Sequence, residues 1–81
     1  MDEALGVIQT DGLPAVIAAA DAALKAAKVT VNKYERVNGG SMMVIRIYGD
    51  MASVKIAVEA GVKVAKQISP RVISTVIGRP Q

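Results

Sequence analysis

Val37-Asn38-Gly39-Gly40-Ser41 stands at the midpoint of the 81-residue chain and decides how the rest is read. Asn-Gly and Gly-Gly pairs supply the positive-φ positions that tight hairpin turns demand. Apolar runs flank the stretch, Val29 and Val31 before it and Met42 to Ile47 after it, so it predicts the tip of a β-hairpin. Taken alone, such a tip is an ordinary surface turn. The two halves of the chain on either side of it each read as strand, helix and strand.

Outward toward the N-terminus, Val29 to Val37 is rich in β-branched residues and predicts the second strand. Before it, Pro14 to Ala27 is an almost unbroken run of helix formers. Pro14 suits a first turn, where its missing N–H costs nothing. Leu13, Val16, Ile17, Ala20, Leu24 and Ala27 recur at three- and four-residue spacing and predict the apolar face of this helix. Asp21 and Lys25 form an i, i+4 pair in the favourable order, and Lys25 and Lys28 lie where cations suit the helix dipole. Glu3 to Thr10, closed by Asp11-Gly12, predicts the first strand.

Outward toward the C-terminus, Met43, Ile45 and Ile47 alternate with Val44, Arg46 and Tyr48, which assigns the first set to a core and the second to the opposite, partly polar face. Asp50 is placed to cap a second helix running to about Gln67. Its apolar stripe is Val54, Ala57, Val58, Gly61, Val62 and Ala65. Lys55, Glu59, Lys63 and Lys66 form its solvent face, with Glu59 and Lys63 at ion-pair spacing. Pro70 stops the helix, and Val72 to Ile77 predicts the last strand. The order β-α-β-β-α-β with a central hairpin defines a single α+β domain over residues 1–81: a ferredoxin-like βαββαβ sandwich, with a four-stranded antiparallel sheet and two helices on one face. That plan serves RNA-binding, regulatory, metal-carrying and structural domains alike, so it does not give function.

Composition narrows the choice. A chain of this length buries only about 60 to 65% of its unfolded surface, so it is marginal without a staple. Cysteine and histidine are both absent, which removes disulfides and the usual zinc or iron ligands. Over half the residues are hydrophobic (52%) against 21% charged, with alanine and valine dominant, and oligomerisation is the natural source of further burial. The +3 net charge is spread along the chain rather than gathered in a nucleic-acid-binding run. No stretch reaches the length of a membrane span, and Met1-Asp2-Glu3 is unlike a signal peptide, so a cytoplasmic protein without membrane or nucleic-acid partners is expected.

The residues needed for catalysis are missing. No imidazole stands ready to activate Ser41, Ser53, Ser69 or Ser74, and no acidic pair shares a helix face. Gly39-Gly40 lacks the strand-to-helix setting of a phosphate loop. Tyr48 with Arg46 is a thin platform for stacking bases. No enzyme, cofactor or metal site is therefore expected. A small ligand-sensing or RNA-binding ferredoxin-like module remains the alternative to a structural role.

Several fragments in order resemble the BMC-domain shell proteins of bacterial microcompartments, which form flat hexamers. They are Glu3-Ala4-Leu5-Gly6-Val7-Ile8, Gly12-Leu13, Ala20-Asp21-Ala22 with Lys25-Ala26-Ala27 and Val29, Tyr34-Glu35-Arg36, Gly49-Asp50, and Val76-Ile77 with Arg79-Pro80. The resemblance spans essentially the whole chain. It implies a homo-hexamer that tiles edge to edge with other microcompartment shell proteins around encapsulated enzymes in the cytoplasm. Small metabolites would diffuse through a central pore. Carried onto this sequence, the pore would be lined by Arg36, Val37, Asn38, Gly39, Gly40 and Ser41, and Lys25, Lys28 and Arg79 would lie at the hexamer edge. Asn38 stands where the family pattern has glycine, Tyr48 where it often has arginine, and the stretch from Tyr34 to Gly49 is one residue longer than the pattern.

Overall fold

The computed structural model describes residues 3–79. β1 (Glu3–Thr10) is a central strand, antiparallel to β4 (Met42–Asp50) on one side and to β5 (Val72–Arg79) on the other. Its alternation is regular: Ala4, Gly6, Ile8 and Thr10 are buried beneath the helices, while Leu5, Val7 and Gln9 are half-buried on the open face. β2 (Thr30–Val31) and β3 (Glu35–Val37) both pair with the remaining side of β4. The five strands thus occupy four lanes, and the expected ferredoxin-like α+β plan is present.

The second strand is not the single piece expected over Val29 to Val37. Val31 pairs with Ile47 and Glu35 with Val44, so four residue steps on the edge face three on β4. One residue is in excess, which is the count of a β-bulge and leaves an interruption at Asn32, Lys33 and Tyr34. Asn32 N–H still donates to the Arg46 carbonyl at 2.9 Å before the chain leaves the ladder.

α1 (Leu13–Ala26) begins behind Gly12 with Pro14 in its first turn, and α2 (Met51–Ala65) begins at Asp50. The cap predicted there is formed: Ser53 N–H and Ser53 Oγ donate to the two Asp50 carboxylate oxygens, each at 2.9 Å. Those bonds favour the charged carboxylate and lower its pKa. α2 ends two residues before Gln67 and continues as a turn, with backbone bonds from Gln67, Ile68 and Ser69.

Met43, Ile45 and Ile47 point into the core as expected, and Val54, Ala57, Val58, Gly61 and Ala65 bury the predicted stripe of α2, with Val62 half-buried beside them. The face of α1 agrees with expectation at Val16, which is buried, and at Leu13, Ala20 and Ala27, which pack against the core, but differs at two positions. Ala15, Val16, Ala19 and Ala23 are buried, whereas Ile17 and Leu24 are 47% and 53% exposed. The cause is the crossing of the two helices. A Cβ on Gly61 would lie 3.0 Å from the Ala19 carbonyl oxygen and 2.7 Å from Ile8 Cδ1. At that separation only glycine and alanine fit between the helices, so α1 turns its small residues inward. Asp21 and Lys25 form the predicted pair at 3.1 Å, but among the described residues no ion pair joins Glu59 to Lys63.

Candidate functional site

The central stretch connects β3 to β4 as a short 3₁₀ turn, Asn38–Gly40, rather than a two-residue hairpin turn. Its need for unusual backbone is real: Asn38, Gly39 and Gly40 have φ of 53°, 67° and 92°. Asparagine is among the few side chains that tolerate this region, which is why Asn38 can stand at the first of the three positions. Ser41 closes the turn, its N–H and Oγ both donating to the Asn38 carbonyl at 3.3 and 2.9 Å. A Cβ added to Gly39 or Gly40 would meet no atom within 4 Å, so the tip projects into open space. Arg36 is exposed on β3 opposite Met43, and Val37 is half-buried opposite Met42. The structure therefore brings Arg36, Val37, Asn38, Gly39, Gly40 and Ser41 together at one end of the sheet.

A second arginine sits at that end, and the sequence reading passed over it. Arg71 Nε and Nη2 donate to the two Asp11 carboxylate oxygens, each at 3.3 Å, and Nη2 lies 3.9 Å from Met42 Sδ. The bonds to Asp11, and then its charge, raise the Arg71 pKa, so the guanidinium stays charged. Behind it the buried Ser69 hydroxyl donates to the Arg71 carbonyl at 2.9 Å and accepts from Asp11 N–H at 3.3 Å. Strand order could have found the pair, because Asp11 follows β1 and Arg71 precedes its antiparallel neighbour β5.

The residues assigned to the edge lie at the other end. α1 runs back from the loop end, and Lys25 is in its last turn, well exposed and tied to Asp21. A Cβ on Gly49 would lie 3.5 Å from the Lys28 carbonyl oxygen, which places Lys28 beside the end of β4. Arg79 pairs in register with Glu3, and Glu3 with Asp50. Lys25, Lys28 and Arg79 are thus separated from the loop by the nine residues of β4, a length of about 26 Å at ~3.3 Å per residue. Pro80 and Gln81 lie outside the described residues.

Between the two ends the open sheet face holds Leu5, Val7, Val44, Tyr48, Ile73 and Ile77, with Arg46 ion-paired to Glu35 across it. Ile73 and Ile77 are about half exposed, as are Ile17, Leu24, Ile56, Ile68 and Tyr34 on the other surfaces. Among the described residues no group of three or more His, Cys, Asp or Glu could hold a metal, and no helix is long and apolar enough to cross a membrane.

The BMC domain profile matches residues 4–80. The chain is 42% identical over 80 residues to the bacterial microcompartment shell protein PduK of Citrobacter freundii, covering 99% of this chain and 51% of that protein. It is 46% identical over 82 aligned residues to the carboxysome shell protein CcmK2 of Thermosynechococcus vestitus, covering 99% of this chain and 79% of that one. Among solved structures, a microcompartment protein from Desulfitobacterium hafniense DCB superposes with a TM-score of 0.75 at 30% identity, over 90% of this chain and 40% of that chain. The chain therefore spans about half the length of PduK and less than half of the solved protein.

Proposed function

The chain belongs to the BMC-domain family of microcompartment shell proteins, and on that premise we propose that it is a structural tile: six copies close into a ring around the loop end, and rings meet through the opposite end. It is a structural protein and not an enzyme, as its curated relatives are shell proteins. The observation that carries the proposal is the separation of the two residue groups. A tile needs one end of its subunit at the axis and the other at the rim, and here a strand-length of sheet separates Arg36 to Ser41 from Lys25, Lys28 and Arg79.

At the axis, six copies of Gly39 and Gly40 present backbone without side chains, which leaves an opening. Six copies of Arg36 give that opening a positive potential that favours small anionic metabolites, attenuated by salt within a Debye length of about 8 Å, while the charge of Arg71 is offset by Asp11. At the rim, the stem of Lys25 can pack along a neighbouring tile while its ammonium reaches carbonyl oxygens. The half-exposed isoleucines and leucine supply apolar area to be covered by neighbouring copies, other shell proteins or enclosed enzymes in the cytoplasm.

Native mass spectrometry of the chain at low micromolar concentration tests the proposal. A six-fold mass is expected. A monomer or dimer under those conditions would return the loop to an ordinary surface turn and favour the ligand-sensing module.

A further inference from the structure

The two long edges of the sheet carry features that match each other. Along one, α2 and β5 enclose an open groove of about 290 Å³, with walls of Val58, Val62 and Val76, the Ser74 hydroxyl at its side and Lys55 and Glu59 on its rim. β5 is the outermost strand there and, among the described residues, pairs with β1 alone, so its outward edge is open to a neighbour. Along the other edge, the bulge between β2 and β3 carries Tyr34, 48% exposed, with Lys33 before it.

We propose that in the ring each copy seats its Tyr34 in the Val58, Val62, Ser74 and Val76 groove of the next copy. This rests on the ring reading above and names the contact that closes the ring. Three observations converge on a second copy as the occupant. The first is position along the strands. Rotation about an axis at the loop end keeps every atom at its own radius, so a knob on one edge can meet a socket on the other only if both lie equally far from that end. They do: Ser74 and Val76 are aligned through Ile8 and Gly6 with Ile45 and Ile47 of β4, and Tyr34 lies between the residues that pair with Val44 and Ile47. The second is chemistry. A tyrosine offers an apolar ring and a hydroxyl tip, and the groove offers valine walls and a serine. The third is charge. Lys33 beside the knob and Glu59 on the groove rim have no ion-pair partner among the described residues, and the seating places them near each other. Such a contact is heterologous, using different patches on each copy, which is the type that generates rings.

The chain has no cysteine, so a Lys33→Cys, Ser74→Cys double variant, which keeps the Tyr34 ring in place, reports on this contact alone. A short bis-maleimide is the linker, because a seated tyrosine holds the two backbones further apart than a disulfide spans. The two positions lie on opposite edges of a four-lane sheet, about 14 Å apart at ~4.8 Å per lane, so a linker shorter than that joins only neighbouring copies. Treatment should give a ladder of covalent species up to six on a denaturing gel, and neither single variant should exceed a dimer. Ser74→Arg, at an exposed position that a folded monomer tolerates, should fill the groove and abolish the six-fold mass while leaving the circular dichroism spectrum unchanged. An unmodified chain that is six-fold, combined with no ladder and a Ser74→Arg variant that stays six-fold, overturns the seating and leaves the ring standing. An unmodified chain that is monomeric overturns both.

Discussion

Gly61→Ala places a methyl group where α2 crosses α1. The new Cβ would stand 2.7 Å from Ile8 Cδ1 and 3.0 Å from the Ala19 carbonyl oxygen, against ~3.5 to 4.0 Å for relaxed contact. Ile8 is fully buried and Ala19 belongs to helix backbone, so relief requires either a strained Ile8 rotamer or a shift of α1. Overpacking of this kind costs about 1 to 3 kcal/mol, and the double contact argues for the upper end. Alanine recovers about 1 kcal/mol over glycine in a helix interior. The net loss is about 2 kcal/mol, a fall of roughly 8 to 16 °C in thermal midpoint for a domain of this size. Circular dichroism melts at one fixed chain concentration measure it, since assembly makes the midpoint concentration-dependent. A second variant isolates the cause. Ile8→Val removes the Cδ1 atom and alone costs about 1 kcal/mol, but in the Gly61→Ala background it opens room for the new methyl. The double variant should therefore be more stable than the sum of the single losses predicts, by ~1 kcal/mol. Strict additivity, or a Gly61→Ala midpoint at or above the parent's, would refute the account of why α1 turns alanines inward.

Two further predictions bear on the rim and on pH. Lys25→Ala should keep the six-fold mass and a midpoint within about 3 °C of the parent, because an exposed i, i+4 pair contributes only a few tenths of a kcal/mol. Electron microscopy should show the extended sheets lost, whereas dissociation to monomers, or sheets as abundant as the parent's, would remove Lys25 from the rim. Asp50 has a lowered pKa in the folded chain. Its contribution is therefore present above the unfolded carboxylate value of about 3.9 and is lost as pH falls through the lower folded value. Asp50→Asn keeps a capping oxygen without the titration. Its midpoint should fall less than the parent's between about pH 5 and pH 2, and parallel curves would mean the cap is indifferent to charge.

How far each element was legible follows from how local its cause is. β1 was read to the residue because its short apolar run and the Asp11-Gly12 break are both in the sequence, and Asp50 because a cap acts within one turn. Two positions of the α1 face, Ile17 and Leu24, were misread for a non-local reason. Periodicity selects the bulkiest apolar residues, Ile17 and Leu24, but the inward face of α1 is set by how closely Gly61 lets α2 approach Ala19. The bulge at Asn32 to Tyr34 was hidden too, since only pairing against β4 reveals the extra residue. The loop's positive φ values were legible from Asn-Gly-Gly. Its role was not, because one chain contains no axis, and Arg36 to Ser41 became pore candidates only through resemblance. Arg71 was missed because its neighbour Asp11 is distant in sequence and meets it only through strand order.

The same physics explains why so many large side chains are exposed. A domain this small gains most by bringing its elements close together, and small residues allow that: α1 and α2 meet through Ala19 and Gly61, and Gly6 faces Val54 and Val58. Close packing of small residues leaves room inside for Ile8, Ile45 and Ile47 and little more, so the remaining isoleucines, Leu24 and Tyr34 are displaced to the helix backs, the open sheet face and the edge bulge. In a monomer that exposure is a liability. In a ring it becomes the source of the burial that the thin core lacks, and it binds the two properties together. A substitution that thickened the monomer core would force the elements apart, shift the edges on which Tyr34 and the Ser74 groove lie, and lose in assembly what it gained in folding. On the proposed ring the marginal monomer is in this sense a condition of the tile, since its stability would be placed where only neighbouring copies can complete it.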